Sequence, residues 1–184
     1  MKKICLILIC MVISAFSLSS CGNSDNEAQS VANVVSTVTI SCAGDCTLAS
    51  DESFSDNTFE DVLKNNKNDY SYFFKNVRHI FEDDDITIVN FEGTLSNNGE
   101  RQDKEYAFRG KPDYVNILKK GSVEAVTLAN NHSEDYGPES LKDTKKTLYD
   151  SDIKYALNTE TAHFNIRGAK VGIIGLYQLD GSAG

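Results

Sequence analysis

A short apolar segment that ends abruptly in polar side chains places the strongest constraint on how this chain folds. Residues 123–128 join β-branched and aliphatic side chains, which predicts a buried strand. Two amides, an imidazole and two carboxylates follow: Asn130, Asn131, His132, Glu134 and Asp135. In open α/β sheets, ligands bind at the carboxyl ends of the strands. The segment therefore predicts a functional site at a strand end.

Two earlier segments end in the same way. Residues 38–43 predict a strand that runs into Gly44 and Asp45, and residues 86–89 predict one that runs into Asn90 and Glu92. The three strand ends together supply seven polar side chains to one edge of a sheet: Asp45, Asn90, Glu92, Asn130, Asn131, His132 and Asp135. This set of oxygen and imidazole donors suits a pair of divalent metal ions.

Helical patterns alternate with the strands and set the fold class. The predicted helices cover residues 59–63, 70–82, 112–120 and a segment opened by Gly137 and Pro138, with Leu141, Leu148 and Tyr149 on its buried side. Near the end, residues 163–166 and 171–174 predict a hairpin. Strand and helix alternation favours an α/β fold with a largely parallel sheet.

The amino terminus predicts export from the cytoplasm. Lys2 and Lys3 precede an apolar stretch over residues 4–16, which is too short to span a membrane and fits a signal peptide. Leu18-Ser-Ser-Cys21 resembles the lipobox of bacterial lipoproteins, with lipid carried on Cys21; an ordinary secretory signal with a chance cysteine is the alternative. We expect residues 1–20 to be removed and residues 21–36 to form a flexible linker to the outer face of the cell membrane.

The remaining cysteines and the overall charge limit other functions. Cys42 and Cys46 are more simply explained as small apolar residues than as a disulfide or a zinc pair. The chain carries a formal net charge of −9, and removal of the signal peptide would take away two lysines and no acid. Such an acidic surface argues against a nucleic-acid partner. Residues 37–184 are enough for one domain.

Basic side chains gather near the predicted site in one polar segment, residues 96–111. Arg101, Lys104 and Arg109 are candidate contacts for an anionic substrate. A balanced surface loop is an equally good interpretation, because acidic residues are interspersed with them.

The three strand-end motifs resemble the CapA family of capsule-synthesis proteins, associated with poly-γ-glutamate. The matching segments are residues 44–48, 90–95 and 129–137, with further similarity at residues 171–177. The resemblance extends over residues 38–179. It implies a calcineurin-like metallophosphoesterase fold, a four-layer α/β sandwich with a two-metal site, of which this chain carries the N-terminal portion.

The resemblance also implies roles for individual residues. Asp45 matches the first metal-ligand motif, Glu92 the second and Asn131-His132 the third. Independently of the family, the chemistry of such a site would use His132 to donate a proton to a leaving group. Asn90, Asn130 and Asp135 are expected to support these residues from a second layer. Each has a simpler alternative when taken alone, such as a turn for Asp45 or Asn130 and a buried hydrogen-bonding role for His132. The metal would be Mn, Zn, Fe or Mg.

The function implied is that of a lipid-anchored surface protein in the synthesis or anchoring of a capsule of poly-γ-glutamate, with a metal-dependent hydrolase-like site. Its partners would be the anionic polymer, the membrane and capsule synthase subunits. The alternatives are a non-catalytic scaffold of a capsule export machinery and a general surface phosphoesterase.

Family members are expected to carry two further histidine motifs downstream. This sequence contains His79, His132 and His163, and only His132 matches the family pattern. We therefore expect an incomplete domain, either a fragment or a truncated gene product, that binds divalent metal weakly and shows no turnover on its own.

Overall fold

The computed structural model describes residues 36–178. Within this range the strands are β1 (Ile40–Thr47), β2 (Ile86–Glu92), β3 (Thr94–Leu95), β4 (Arg109–Gly110), β5 (Ala125–Thr127), β6 (Lys154–Ala156), β7 (Ala162–Ile166) and β8 (Ala169–Ile173). The helices are α1 (Phe59–Asn65), α2 (Arg78–Asp83), α3 (Val115–Lys120) and α4 (Gly137–Asp150), and a 3-10 turn at Pro112–Tyr114 leads into α3.

A four-stranded parallel sheet lies at the centre of the fold. Its strands follow the order β1-β2-β5-β6, and each neighbouring pair runs parallel. Parallel strands need crossover connections, which the helical segments between them provide. The prediction that the three polar-ended strands share one sheet is confirmed, so their carboxyl ends meet at one edge.

The two faces of the sheet bury different side chains. Val89, Phe91 and Val126 join a large core cluster with Leu118 of α3 and Leu148 of α4, and all five are fully buried. On the opposite face, Ala125 and Ala156 pack with Ala162 and Ile173 of the antiparallel β7-β8 hairpin. Successive strand residues point to opposite faces, so Val89 and Phe91 of β2 meet the helices while Ile88 meets the hairpin.

Several predicted elements are confirmed by the structure. Helix α1 begins at a capping box in which the Thr58 side chain accepts from the Asp61 backbone and the Asp61 carboxylate accepts from the Thr58 backbone. Pro112 opens the turn into α3, and Gly137 and Pro138 open α4. The predicted hairpin also forms, with its turn at Arg167 and Gly168.

The helix predicted over residues 70–82 was wrong for most of its length, because only Arg78–Asp83 is helical and the preceding residues form turns. The Asp69 carboxylate accepts from the backbone and hydroxyl of Ser71 at 2.9 and 2.7 Å. Such local hydrogen bonds compete with a helix. Val77 and Ile80, whose apolar side chains contributed to the helical spacing, are 37% and 51% exposed.

Two smaller predictions were also wrong. The first strand does not end before Gly44 but continues to Thr47. Tyr149, predicted on the buried side of α4, is 78% exposed.

Predictions for the amino terminus lie outside the described residues, and this applies to the signal peptide, Cys21 and nearly all of the linker. Across residues 36–178, no helix combines the length and apolar character that a membrane crossing needs. Cys42 and Cys46 are both free thiols. Burial raises the pKa of the Cys46 thiol to about 12, which keeps it protonated at neutral pH.

Candidate functional site

An irregularity in β1 brings its polar residues to the edge of the sheet. Ala43 pairs with Val89 and Cys46 pairs with Phe91, so the register shifts between these pairs. Gly44 and Asp45 therefore lie opposite the single residue Asn90. This is the two-against-one arrangement of a β-bulge, a device that redirects a side chain next to functional sites.

A chain of amides links the strand ends. The Asn90 Nδ2 group donates to Asp45 Oδ1 at 3.1 Å and to Glu92 Oε1 at 3.2 Å. Asn90 Oδ1 accepts from Asn130 Nδ2 at 3.0 Å. The predicted residues Asp45, Asn90, Glu92 and Asn130 are thus joined in one hydrogen-bonded group, which we call the edge group.

The orientation of both amides is fixed by the backbone. Asn130 is 8% exposed, its Nδ2 donates to the Phe91 carbonyl at 2.8 Å, and its Oδ1 accepts from the His132 N–H at 2.9 Å. Neither hydrogen bond could form if the side-chain oxygen and nitrogen of Asn130 were exchanged, because a carbonyl cannot donate and an N–H cannot accept. Asn90 must therefore turn its NH2 group toward the two carboxylates.

A histidine and a buried carboxylate form the second part of the site. His132 Nδ1 lies 2.9 Å from Asp135 Oδ2, and the imidazole packs against Phe108 with ring centroids 4.7 Å apart. Asp135 is 1% exposed and also accepts from the Phe108 N–H at 2.6 Å. With Nδ1 held by Asp135, Nε2 is the ring nitrogen left to exchange a proton.

Two of the three predicted anion contacts are occupied by internal carboxylates. Lys104 donates to Asp135 at 2.6 Å and to the Asn131 carbonyl at 2.7 Å. Arg101 donates to Asp51 at 2.8 Å, and Asp51 is 1% exposed. These ion pairs fasten the irregular segment of residues 96–111 to the rest of the fold.

Arg109 is held differently. Its guanidinium lies over the Tyr136 ring, with 3.6 Å between Cζ and the ring centroid, and Nη2 donates to the Gly99 carbonyl at 2.6 Å. Gly99 has φ of +85°, and a Cβ there would collide with the Tyr136 carbonyl oxygen, so only glycine fits this approach. Within residues 36–178, Arg109 forms no ion pair with a carboxylate.

The donor chemistry at the edge suits a hard divalent cation. The Asp45 and Glu92 carboxylates face one amide N–H group from either side, and carboxylate oxygens are preferred by Mg²⁺ and Mn²⁺. In residues 36–178 no group of three or more His, Cys, Asp or Glu side chains could hold a metal ion. The ligand type at the edge thus matches such a cation, and the described residues supply two charged donors, Asp45 and Glu92.

Other predicted residues differ in how closely they join the edge group. His132 joins it through its backbone N–H, and Asp135 joins through His132. Asn131, predicted as a metal ligand, has an exposed residue surface, and in the described range its side chain forms no hydrogen bond. Sequence reasoning missed Asp51, whose partner Arg101 lies 50 positions away, beyond the reach of any local pattern.

A parallel α/β sheet that delivers carboxylates, amides and a histidine to one edge agrees with the metallophosphoesterase-like fold, to which the family matched by this chain belongs. The family described as bacterial capsule synthesis protein PGA_cap matches residues 39–180. The chain belongs to that family, and the resemblance inferred from the strand-end motifs is confirmed.

Individual relatives carry related names. The chain is 28% identical over 115 residues to a capsule biosynthesis protein CapA of Bacillus anthracis, a match that covers 56% of this chain and 28% of that protein. It is 28% identical over 118 residues to a PGA biosynthesis protein CapA of Bacillus subtilis (strain 168), covering 59% and 31%. A probable polyglutamine synthesis accessory protein of Mycobacterium tuberculosis is 35% identical over 71 residues, covering 38% and 19%. The matched region thus spans less than a third of each relative.

Proposed function

We propose that this protein acts in the synthesis or anchoring of an anionic surface polymer such as poly-γ-glutamate, through a metal-dependent hydrolase-like site at the carboxyl edge of its sheet. The observation that carries the proposal is the edge group, in which Asp45 and Glu92 converge on Asn90 beside the His132 and Asp135 pair. Membership of the capsule-synthesis family supports the polymer as the substrate.

The chain's own residues have separate tasks in this chemistry. Asp45 and Glu92 would hold the cation, and Asn90 orients both carboxylates through its NH2 group. When bound, a divalent ion supplies a Lewis acid and lowers the pKa of coordinated water. Asp135 holds His132 Nδ1, so that Nε2 can deliver a proton to a leaving group.

The test uses the protein purified from the membranes of cells that make it. Titration calorimetry with Mn²⁺ and Zn²⁺ measures binding, and hydrolysis is followed on poly-γ-glutamate and on p-nitrophenyl phosphate. We expect Asp45→Ala and Glu92→Ala to abolish metal binding and turnover, and His132→Gln to lower turnover while metal binding persists. Asp56→Ala, an exposed carboxylate outside the edge group, serves as the control.

Turnover of the phosphate ester alone would instead indicate a general surface phosphoesterase. Wild-type turnover that survives both Asp45→Ala and Glu92→Ala would disprove the proposed site.

A non-catalytic scaffold of a capsule export machinery is the second candidate. The observation that favours it is the small number of charged donors, since in the described part of the chain no group of three or more His, Cys, Asp or Glu side chains could hold a metal ion. Under this alternative the purified protein binds the polymer or capsule synthase subunits without metal and without turnover. Copurification of the polymer with a metal-free, inactive protein would favour it.

We also propose that Cys21 carries a lipid that holds the protein at the outer face of the cell membrane. The proposal depends on the order of charged, apolar and small residues before Cys21 and the polar stretch after it. Metabolic labelling with a fatty-acid analogue should mark the wild type. Labelling that persists in Cys21→Ala would refute the anchor.

A further inference from the structure

A cavity of about 310 Å³ is lined by residues outside the edge group and outside the His132 and Asp135 pair. It is formed by the segment that follows β1, the start of α1 and the β3-β4 pair. Its walls include Glu52, Phe59, Asn97, Arg109, Tyr114 and Tyr136. This volume lies near the lower limit for small-molecule pockets, which indicates a single small group as the occupant.

Arg109 is the feature of this cavity that needs an explanation. Nearby cations have carboxylate partners: Arg101 pairs with Asp51, and Lys111 pairs with Glu60. Arg109 has none within residues 36–178, although its Nε is buried and makes no hydrogen bond. Its Nη2 bonds to a backbone carbonyl, whereas Nη1 has no partner in the described range. Buried charges in proteins are normally paired.

The charges of the cavity wall also draw attention to Arg109. The wall carries three carboxylates, Asp51, Glu52 and Glu60, and two cations, Arg109 and Lys111. Arg101 pairs with Asp51, and Lys64 and Lys111 both pair with Glu60, so these charges are matched within the chain. Glu52 accepts from the Tyr136 hydroxyl at 3.4 Å, and Arg109 is the cation of the wall that remains for a ligand group with a negative charge.

The wall also has donors suited to such a group. Tyr114 is 5% exposed, and its hydroxyl makes no hydrogen bond among the described residues. Asn97 is exposed at the rim. Phe59 and Tyr136 supply apolar surface for the carbon chain that carries the charge.

Two consecutive contacts connect the cavity to the reactive histidine. Phe108 donates its N–H to Asp135, which holds His132. The next residue on each side, Arg109 and Tyr136, forms the cation-π contact that lines the cavity. The cavity wall and His132 are therefore connected through residues adjacent in the chain, Phe108 with Arg109 and Asp135 with Tyr136.

We propose that this cavity is a binding subsite for one carboxylate-bearing unit of a polymer, with Arg109 as its anchor. Arginine suits this role because its planar fork matches a carboxylate through two parallel hydrogen bonds. The subsite adds a substrate contact to the proposed function. It rests on that proposed function only for the identity of the polymer. It assigns Arg109 to the substrate and assigns Arg101 and Lys104 to internal ion pairs.

The test measures binding of small probes to the full protein by calorimetry without added metal. N-acetylglutamine carries one carboxylate and a side-chain amide, as does a γ-linked glutamyl unit, and N-acetylglutaminamide is its neutral counterpart. We expect the carboxylate probe to bind at least tenfold more tightly than the neutral probe. Arg109→Gln should remove that preference, and Arg109→Lys should retain only part of it.

A second variant guards against misfolding of Arg109→Gln. Asn97→Asp adds a negative charge at the exposed rim and should weaken binding of the carboxylate probe several-fold, whereas Asn165→Asp on the exposed side of β7 should not. Equal affinity for both probes, or unchanged affinity in Asn97→Asp, would overturn the subsite. Binding of inorganic phosphate in preference to the carboxylate would overturn the ligand class. Because no metal is added, failure here leaves the Asp45 and Glu92 test of the proposed function unaffected.

Discussion

Two pairs of acidic residues in this fold differ in their burial and in the partners that they bind. Asp51 and Asp135, the internal carboxylates, are each 1% exposed and each paired with a cation, Arg101 or Lys104. Asp45 and Glu92, the edge carboxylates, are more accessible, and the structure gives them the NH2 group of Asn90 as a shared partner.

The difference separates carboxylates that hold the fold from carboxylates available to a ligand. A buried charge needs a partner of opposite charge, and the internal carboxylates have theirs within the chain. An amide only partly compensates two negative charges, so the edge carboxylates keep the capacity to attract a cation. Each prediction below tests this division.

The largest effect is expected from Asp51→Ala. This change leaves the half-buried Arg101 without its carboxylate and deprives the Ala107 and Ser53 N–H groups of their acceptor. Breaking a buried pair costs about 3–5 kcal/mol of unfolding free energy. Urea denaturation followed by circular dichroism measures the loss. A decrease below about 1 kcal/mol would show that Asp51 is not structural.

The contribution of Asp51 should also depend on pH. Burial alone would raise its pKa, but hydrogen bonds from the Ala107 and Ser53 backbones and from Arg101 lower the pKa well below its usual range. Because the folded-state pKa is depressed, the stabilisation is present above the unfolded value of about 3.9 and is lost as pH falls below it.

Asp51→Asn gives the measurement. Hydrogen bonds to a charged group are worth about 1.5–3 kcal/mol. We therefore expect the unfolding free energy of the wild type at pH 7 to exceed that of Asp51→Asn by this amount, and we call this difference the gap. The gap should narrow as the pH falls from about 4. A gap that stays constant from pH 7 to pH 2 would mean that the charge of Asp51 is irrelevant.

The edge carboxylates should contribute little to stability without a cation. We expect Asp45→Asn and Glu92→Gln to change the unfolding free energy by no more than about 0.5 kcal/mol, as for other accessible positions. With Mn²⁺ at a hundred times its dissociation constant, the unfolding free energy of the wild type should rise by about 2.7 kcal/mol, and that of the variants should not change. A large loss in the metal-free state would place Asp45 and Glu92 with the structural carboxylates.

The smallest effect is expected for an exposed ion pair, which provides the baseline for charges that are accessible to solvent. Arg78 and Glu82 form an exposed pair at 2.7 Å on α2. A double-mutant cycle with Arg78→Ala and Glu82→Ala should give a coupling energy of about 0.3–0.5 kcal/mol. A coupling energy as large as the loss of unfolding free energy in Asp51→Ala would remove the distinction between buried and accessible charges.

Local patterns predicted much of this fold because they depend on neighbouring residues. Pro112 and Pro138 marked helix starts, and the apolar runs before Asn90 and Asn130 marked buried strands. The pattern failed at residues 70–77, where the Asp69 carboxylate stabilises a turn that apolar spacing does not reveal.

The site was predictable at its strand ends and not in the loop that flanks it. Parallel strands place their carboxyl ends together, so Asp45, Glu92 and Asn130 could be grouped from the sequence. Composition suggested one shared role for Arg101, Lys104 and Arg109 in binding an anion, a prediction that stays untested. Their different partners arise from contacts such as Arg101 with Asp51, across 50 residues of sequence.

The bulge in β1 makes its two residues unequal in importance. Two residues, Gly44 and Asp45, occupy the space opposite Asn90, and removal of one would restore a regular ladder. Paired residues in a regular ladder share a face, so deletion of Gly44 would leave Asp45 opposite Asn90, whereas deletion of Asp45 would leave a glycine there and no carboxylate. Gly44 itself tolerates a methyl group, since a Cβ there meets no atom within 4 Å. In a library of variants, substitution of Gly44 by alanine should survive selection for function, while deletion of Asp45 should be eliminated.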